Sequence, residues 1–105
     1  MGGFILETAV LGELVKDFMH WGKDPSIYFW RTAGGLEVDF VVEHEGRLIP
    51  IEVKLSATPK RAMADGIVAF QKDYADRVAP GYVVHPGELQ LPLGPNITAL
   101  PLGCF

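Results

Sequence analysis

The chain has 105 residues, room for one domain with one modest core and not for two. Its hydrophobic share of 49% and charged share of 21% match an ordinary folded protein and exclude a disordered or collagen-like one. The net charge of −4 is awkward for an unspecific nucleic-acid binder, which needs a basic footprint to displace counterions from phosphates. The single cysteine, Cys104, makes no internal disulfide, and no apolar run approaches the ~20 residues a bilayer requires. The N-terminus also lacks a basic-then-apolar signal pattern, so the expectation is a soluble, cytoplasmic chain with no membrane partner. Met1-Gly2-Gly3 leads straight into helix-like sequence, which suits a module of a longer chain.

Phe4 to Met19 reads as a helix, because Phe4, Val10, Leu11, Leu14, Val15 and Phe18 fall on one face at the helical period. Gly22 and Asp24-Pro25 stop it. Ser26 to Arg31, rich in Ile27, Tyr28, Phe29 and Trp30, predicts a strand closed by the turn signal Gly34-Gly35. Leu36 to Glu43 and Leu48 to Leu55 both alternate around Glu45-Gly46 and predict a β-hairpin. Pro59 suits the first turn of a second helix, capped by Ser56 or Thr58 and running to about Tyr74, with Met63, Gly66, Ile67, Phe70 and Tyr74 on one face. After Pro80-Gly81, Tyr82 to Val84 reads as a fourth strand. The Pro- and Gly-rich stretch Pro86 to Pro95 reads as a loop before a short strand over Ile97 to Leu102. The order helix, three strands, helix, strand predicts an α/β fold, a mixed sheet with helices packed on it.

The hairpin concentrates charge. A turn at Glu45-Gly46, of two residues or four, sets Asp39 opposite Glu52 and Glu37 opposite Lys54. The other face then carries Leu36, Val38, Phe40 and Val42 beside Ile49, Ile51, Val53 and Leu55, wholly apolar and expected to be buried. Like charges directly opposed, with Cβ atoms only ~4.5–5.5 Å apart, require something to neutralise them. Lys54 supplies one positive charge, and a divalent ion coordinated by several oxygens would do better. Glu7 adds a third carboxylate, since it lies near the middle of the apolar stripe of the first helix and must be neutralised or turned into a polar pocket. Three carboxylates and a lysine around Mg²⁺ or Mn²⁺ suit phosphodiester hydrolysis, with Glu7, Asp39 and Glu52 as metal ligands. Lys54 orients or deprotonates the attacking water.

Asp39 followed by Glu52-Val53-Lys54 resembles the signature of the PD-(D/E)xK nuclease superfamily, although Val38 stands where that signature has proline. The resemblance implies a restriction-endonuclease-like fold and an upstream helix whose metal-binding Glu is matched by Glu7 in Gly3-Phe4-Ile5-Leu6-Glu7. Gln71 and Tyr74 are similar to a Gln/Tyr motif of recombination-type exonucleases in that superfamily. The segments Trp30-Arg31-Thr32, Gly35 to Val41, Ile49 to Lys54 and Ala99 to Leu102 resemble the domain of unknown function found at the C-terminus of many prokaryotic AAA+-type ATPases. That implies residues 1–105 are one nuclease-like module following an N-terminal ATPase domain, with DNA or RNA as substrate. No G-x-x-x-x-G-K-[ST] motif occurs in these residues, so ATP is not hydrolysed here.

Each feature has a plainer reading. Asp39, Glu52 and Lys54 can be the solvated face of a hairpin, with Glu37 and Lys54 as a cross-strand ion pair. Glu7 can accept hydrogen bonds near a helix N-terminus. His20, His44 and His85 have no spacing that makes a metal site and are expected at the surface or in loops, while Trp21 and Trp30 are expected to anchor packing. The rival to a nuclease is a catalytically silent docking or regulatory module of an ATPase, which the acidic balance favours.

Overall fold

The computed structural model describes residues 26–54, 58 and 60–101. The helix expected over Phe4 to Met19, and with it Glu7, His20 and Trp21, lies outside the described residues, as do Ser56, Pro59 and Cys104.

The described chain is a mixed α/β domain. Six strands, β1 (Ser26–Arg31), β2 (Glu37–His44), β3 (Arg47–Val53), β4 (Gly81–His85), β5 (Leu91–Gly94) and β6 (Ile97–Pro101), form one sheet in the order β1-β2-β3-β4-β6-β5. β2 runs antiparallel to both of its neighbours, β1 and β3, whereas β4 and β6 continue parallel to β3 and β5 closes the edge antiparallel to β6. Between β3 and β4 the chain crosses over through a 3-10 turn (Arg61–Ala64) that leads into helix α1 (Asp65–Asp73).

The β2–β3 hairpin closes on Glu45 and Gly46, both at positive φ (53° and 80°), with His44 paired to Arg47. This is the two-residue turn whose twist matches that of the strands, and it fixes Phe40 opposite Ile51. Pro50 sits inside β3 without costing a ladder bond. Leu48 turns its N–H and C=O away from β2, to Arg77 and Ala79, and by alternation the Pro50 nitrogen points the same way, ahead of the β4 pairing that starts at Ile51.

Both faces of the sheet centre are buried. On one, Val38, Val41, Leu48, Val83 and Ala99 pack against Ala64, Ile67 and Phe70. Trp30 stands edge-on to Phe70 at 5.3 Å. The other face carries Phe40, Val42, Ile51, Val53 and Val84. Val38 was expected beside Phe40, and the structure moves it to the helix face. Tyr28 pairs with Val41 while Trp30 pairs with Val38, so the two residues Asp39 and Phe40 stand opposite the single Phe29. This β-bulge reverses the alternation of β2 at Asp39. Leu36, expected to be buried, precedes β2 and is 42% exposed.

Two further expectations change. The helix starts at Arg61 with extended Lys60 as its cap position, not Ser56 or Thr58, and its first turn is wound tightly as 3-10. The stretch read as a loop contains β5, joined to β6 by Pro95-Asn96, with Asn96 at φ 60°. An edge strand tolerates Pro92, and proline followed by a positive-φ asparagine is turn chemistry.

Helix α1 lies so close to β2 that a Cβ on Gly66 would collide with the carbonyl oxygen of Glu37. Gly66→Ala therefore lowers stability by about 1–3 kcal/mol in thermal or urea melts, even though alanine is the better helix former. Gly34→Ala, which meets only Thr32 Oγ1 at 3.8 Å, leaves the melt unchanged.

Candidate active site

The β2–β3 ladder ends at Phe40 and Ile51, and at the next position the two acids replace it. The Asp39 N–H donates to Glu52 Oε1 at 2.9 Å, while the Val53 N–H donates to Asp39 Oδ2 at 2.8 Å. Each carboxylate thus satisfies an amide on the other's strand, just beyond the last pair of the ladder. The sequence-derived register is met here, and Asp39 and Glu52 come together.

Glu52 is buried, with 4% of its surface exposed. Burial first, then hydrogen bonding to the Asp39 carboxyl and its charge, push the Glu52 pKa from 4.5 up to about 8 against an opposing pull from Lys54. Two carboxyls in contact in a buried site hold either a shared proton or a cation. Lys54 Nζ lies 3.7 Å from Glu52 Oε2, on a side chain that is 39% exposed. Its backbone N–H donates to the Val84 carbonyl at 2.9 Å, so the lysine is fixed to the end of β4.

Glu37 does not face Lys54. The ladder has already ended, and Glu37 instead pairs with Arg31 at 3.2 Å on the exposed end of β1, an ion pair of the kind that contributes little. Among the described residues no three His, Cys, Asp or Glu side chains gather as a metal-binding group. Glu7, the third expected ligand, lies outside them. Gln71 and Tyr74 serve packing: Gln71 donates to the Asn96 carbonyl at 3.1 Å and Tyr74 stacks on Phe70 at 4.7 Å.

A cleft of about 500 Å³ opens beside the acid pair, lined by Phe29, Trp30, Arg31, Glu37, Val38, Asp39 and Phe40. Asp39 is the residue common to cleft and acid pair. His85, expected at the surface or in a loop, is fully buried at the end of strand β4. Its Nδ1 accepts from the Gly87 N–H at 3.1 Å, which leaves Nε2 to donate to the Leu89 carbonyl at 2.7 Å. That imidazole ties down the 86–90 loop at the same end of the sheet as Lys54. The apolar run Tyr82 to Val84 leading directly into it was the available sign that it belongs to a buried strand.

An arrangement of two opposed carboxylates, one lysine and an adjoining cleft can bind a hard cation through oxygen and hold a polar ligand beside it. No described helix is long and apolar enough to cross a membrane.

Uncharacterized proteins of Mycobacterium bovis and of Mycobacterium tuberculosis are each 35% identical to this chain over 77 residues. The match covers 71% of this chain and 16% of those much longer proteins. No solved structure matches it. Residues 2–105 match the family described as a domain of unknown function, and it is to this family, DUF4143, that the chain belongs.

Proposed function

We propose that Asp39, Glu52 and Lys54, completed by Glu7, form a Mg²⁺- or Mn²⁺-dependent site that hydrolyses phosphodiester bonds of DNA or RNA. On this reading the sheet is restriction-endonuclease-like, and the domain is a cytoplasmic, prokaryotic module attached to an ATPase. The observation that carries it is the reciprocal exchange of the two acids across the end of β2 and β3. A carboxylate that only decorates a hairpin has no reason to leave solvent, yet Glu52 is buried against a second acid.

Mg²⁺ is satisfied by one or two carboxylates with water in its remaining positions, so Asp39 and Glu52 fit it as a first pair of ligands. When bound, the ion lowers the pKa of a coordinated water and stabilises charge on the phosphoryl oxygens. The chain's own residues set the geometry. The two backbone amides hold one oxygen of each acid, which fixes the direction of the others. Lys54, anchored through its backbone to β4, orients the attacking water.

A second reading has its own observation: each acid already has an amide partner, so the pair can close the sheet end without an ion. The domain would then be a catalytically silent docking or regulatory module of the ATPase.

Calorimetry separates them. Mn²⁺ binds the wild type, and Asp39→Asn, which keeps an oxygen for the Val53 amide, weakens binding by more than the roughly 10–100-fold that loss of an outer-shell partner costs. Absence of wild-type binding selects the silent module. Lys54→Ala retains Mn²⁺ binding while cleavage of plasmid and single-stranded DNA drops by about 10²–10⁴. Retained cleavage removes Lys54 from the mechanism.

The raised pKa of Glu52 also predicts a pH dependence for the metal-free protein. Between 4.5 and about 8 the unfolded chain has released a proton that the folded chain keeps, so raising the pH favours unfolding. Stability therefore falls as the pH rises across that interval and levels off above it. Urea melts over the interval show this slope in the wild type, and Glu52→Gln, which still accepts from Asp39, flattens it.

A further inference from the structure

We infer that Phe29 and Arg31 form a binding ledge for an unstacked, single-stranded nucleic-acid segment that passes Asp39. This inference rests on the phosphodiester reading of the acid pair. Phe29 is 80% exposed, the highest exposure among the large exposed hydrophobic residues described. It occupies the single β1 position opposite the bulge, where its ring stands tilted by 44° over Phe40 at 6.2 Å. The bulge thus sets an aromatic ring beside Asp39, which the hairpin register brings to Glu52, and ring and acid line the same cleft. Its volume of about 500 Å³ is in the range that holds one nucleotide-sized unit.

Charge decides what kind of strand this is. A duplex is held mainly through phosphates, and a chain with nine cations, 13 acids and a net charge of −4 is poorly supplied with the charge that this needs. Arg31 already faces Glu37 at 3.2 Å, so one phosphate can be met only by sharing that guanidinium. Stacking on an aromatic ring needs no net charge, but it does need a base with a free face, which an intact duplex buries. The ledge thus favours single strands or frayed ends.

The test is fluorescence polarisation of a labelled oligothymidylate and of a blunt duplex of the same length, in EDTA, with Mn²⁺ calorimetry run on the same proteins. The single strand binds at least tenfold tighter than the duplex. Phe29→Ala and Phe29→Leu both weaken it, by roughly 5- to 150-fold, whereas Phe29→Trp retains it. Arg31→Gln weakens binding less and lowers the salt slope by about one phosphate contact. Leu89→Ala, at the far edge of the sheet, has no effect. Equal binding of duplex and single strand, or full binding by Phe29→Leu, overturns the ledge. So does loss of self-association in Phe29→Ala without oligonucleotide binding by the wild type. If Mn²⁺ binds and the single strand does not, the ledge fails and the metal site stands. If a Phe29-dependent single strand binds and Mn²⁺ does not, the ledge stands and the hydrolytic reading fails.

Discussion

Two amides and two carboxylates, exchanged across the end of the hairpin, fix the working end of this sheet. Asp39 N–H to Glu52 and Val53 N–H to Asp39 take the place of the next pair of ladder bonds. They join the two strands through side chains at the position where the backbone ladder stops. Replacing either acid with an apolar residue would orphan an amide near the buried centre of the sheet, so these positions are tied to the fold as well as to any chemistry.

The bulge and helix α1 act on the same short stretch of β2. With Asp39 and Phe40 set against Phe29 alone, Val38 turns toward the helix while Phe40 remains with Val42 on the opposite face. Gly66 then lets α1 approach until it touches the Glu37 backbone. On one side β2 is pressed by a helix, and on the other it is opened by a bulge. Asp39 lies between these two constraints, and its backbone has little freedom left to drift from Glu52.

The hairpin register was legible because alternation and a Glu-Gly turn agree, and a single-residue slip would have turned Phe40, Val42 and Ile51 together to the opposite face. From that register alone the meeting of Asp39 and Glu52 followed. The bulge was not legible, since one extra residue leaves no mark in composition or period, and it accounts for the misplaced Val38 and the lost Glu37–Lys54 pairing. Strand β5 was hidden by Pro92 and Pro95, which mark a loop in most contexts and an edge strand and its turn here. His85 was misread because its burial depends on two backbone partners in the loop that follows it, contacts that no residue count reveals.

Lys54 shows why a neighbouring cation does not settle the electrostatics of the pair. It pulls the Glu52 pKa down, and burial together with Asp39 still carries it up to about 8. At 3.7 Å from one oxygen, with two-fifths of its side chain in solvent, the ammonium shares its field with water. The acid pair therefore retains a demand for positive charge closer than a lysine stem delivers, which a proton meets at neutral pH. On the proposed reading Asp39 and Glu52 would hold a divalent ion, which would supply that charge in place of the proton. Lys54 stays half-exposed for the same reason: a lysine that fully neutralised Glu52 would be buried with it.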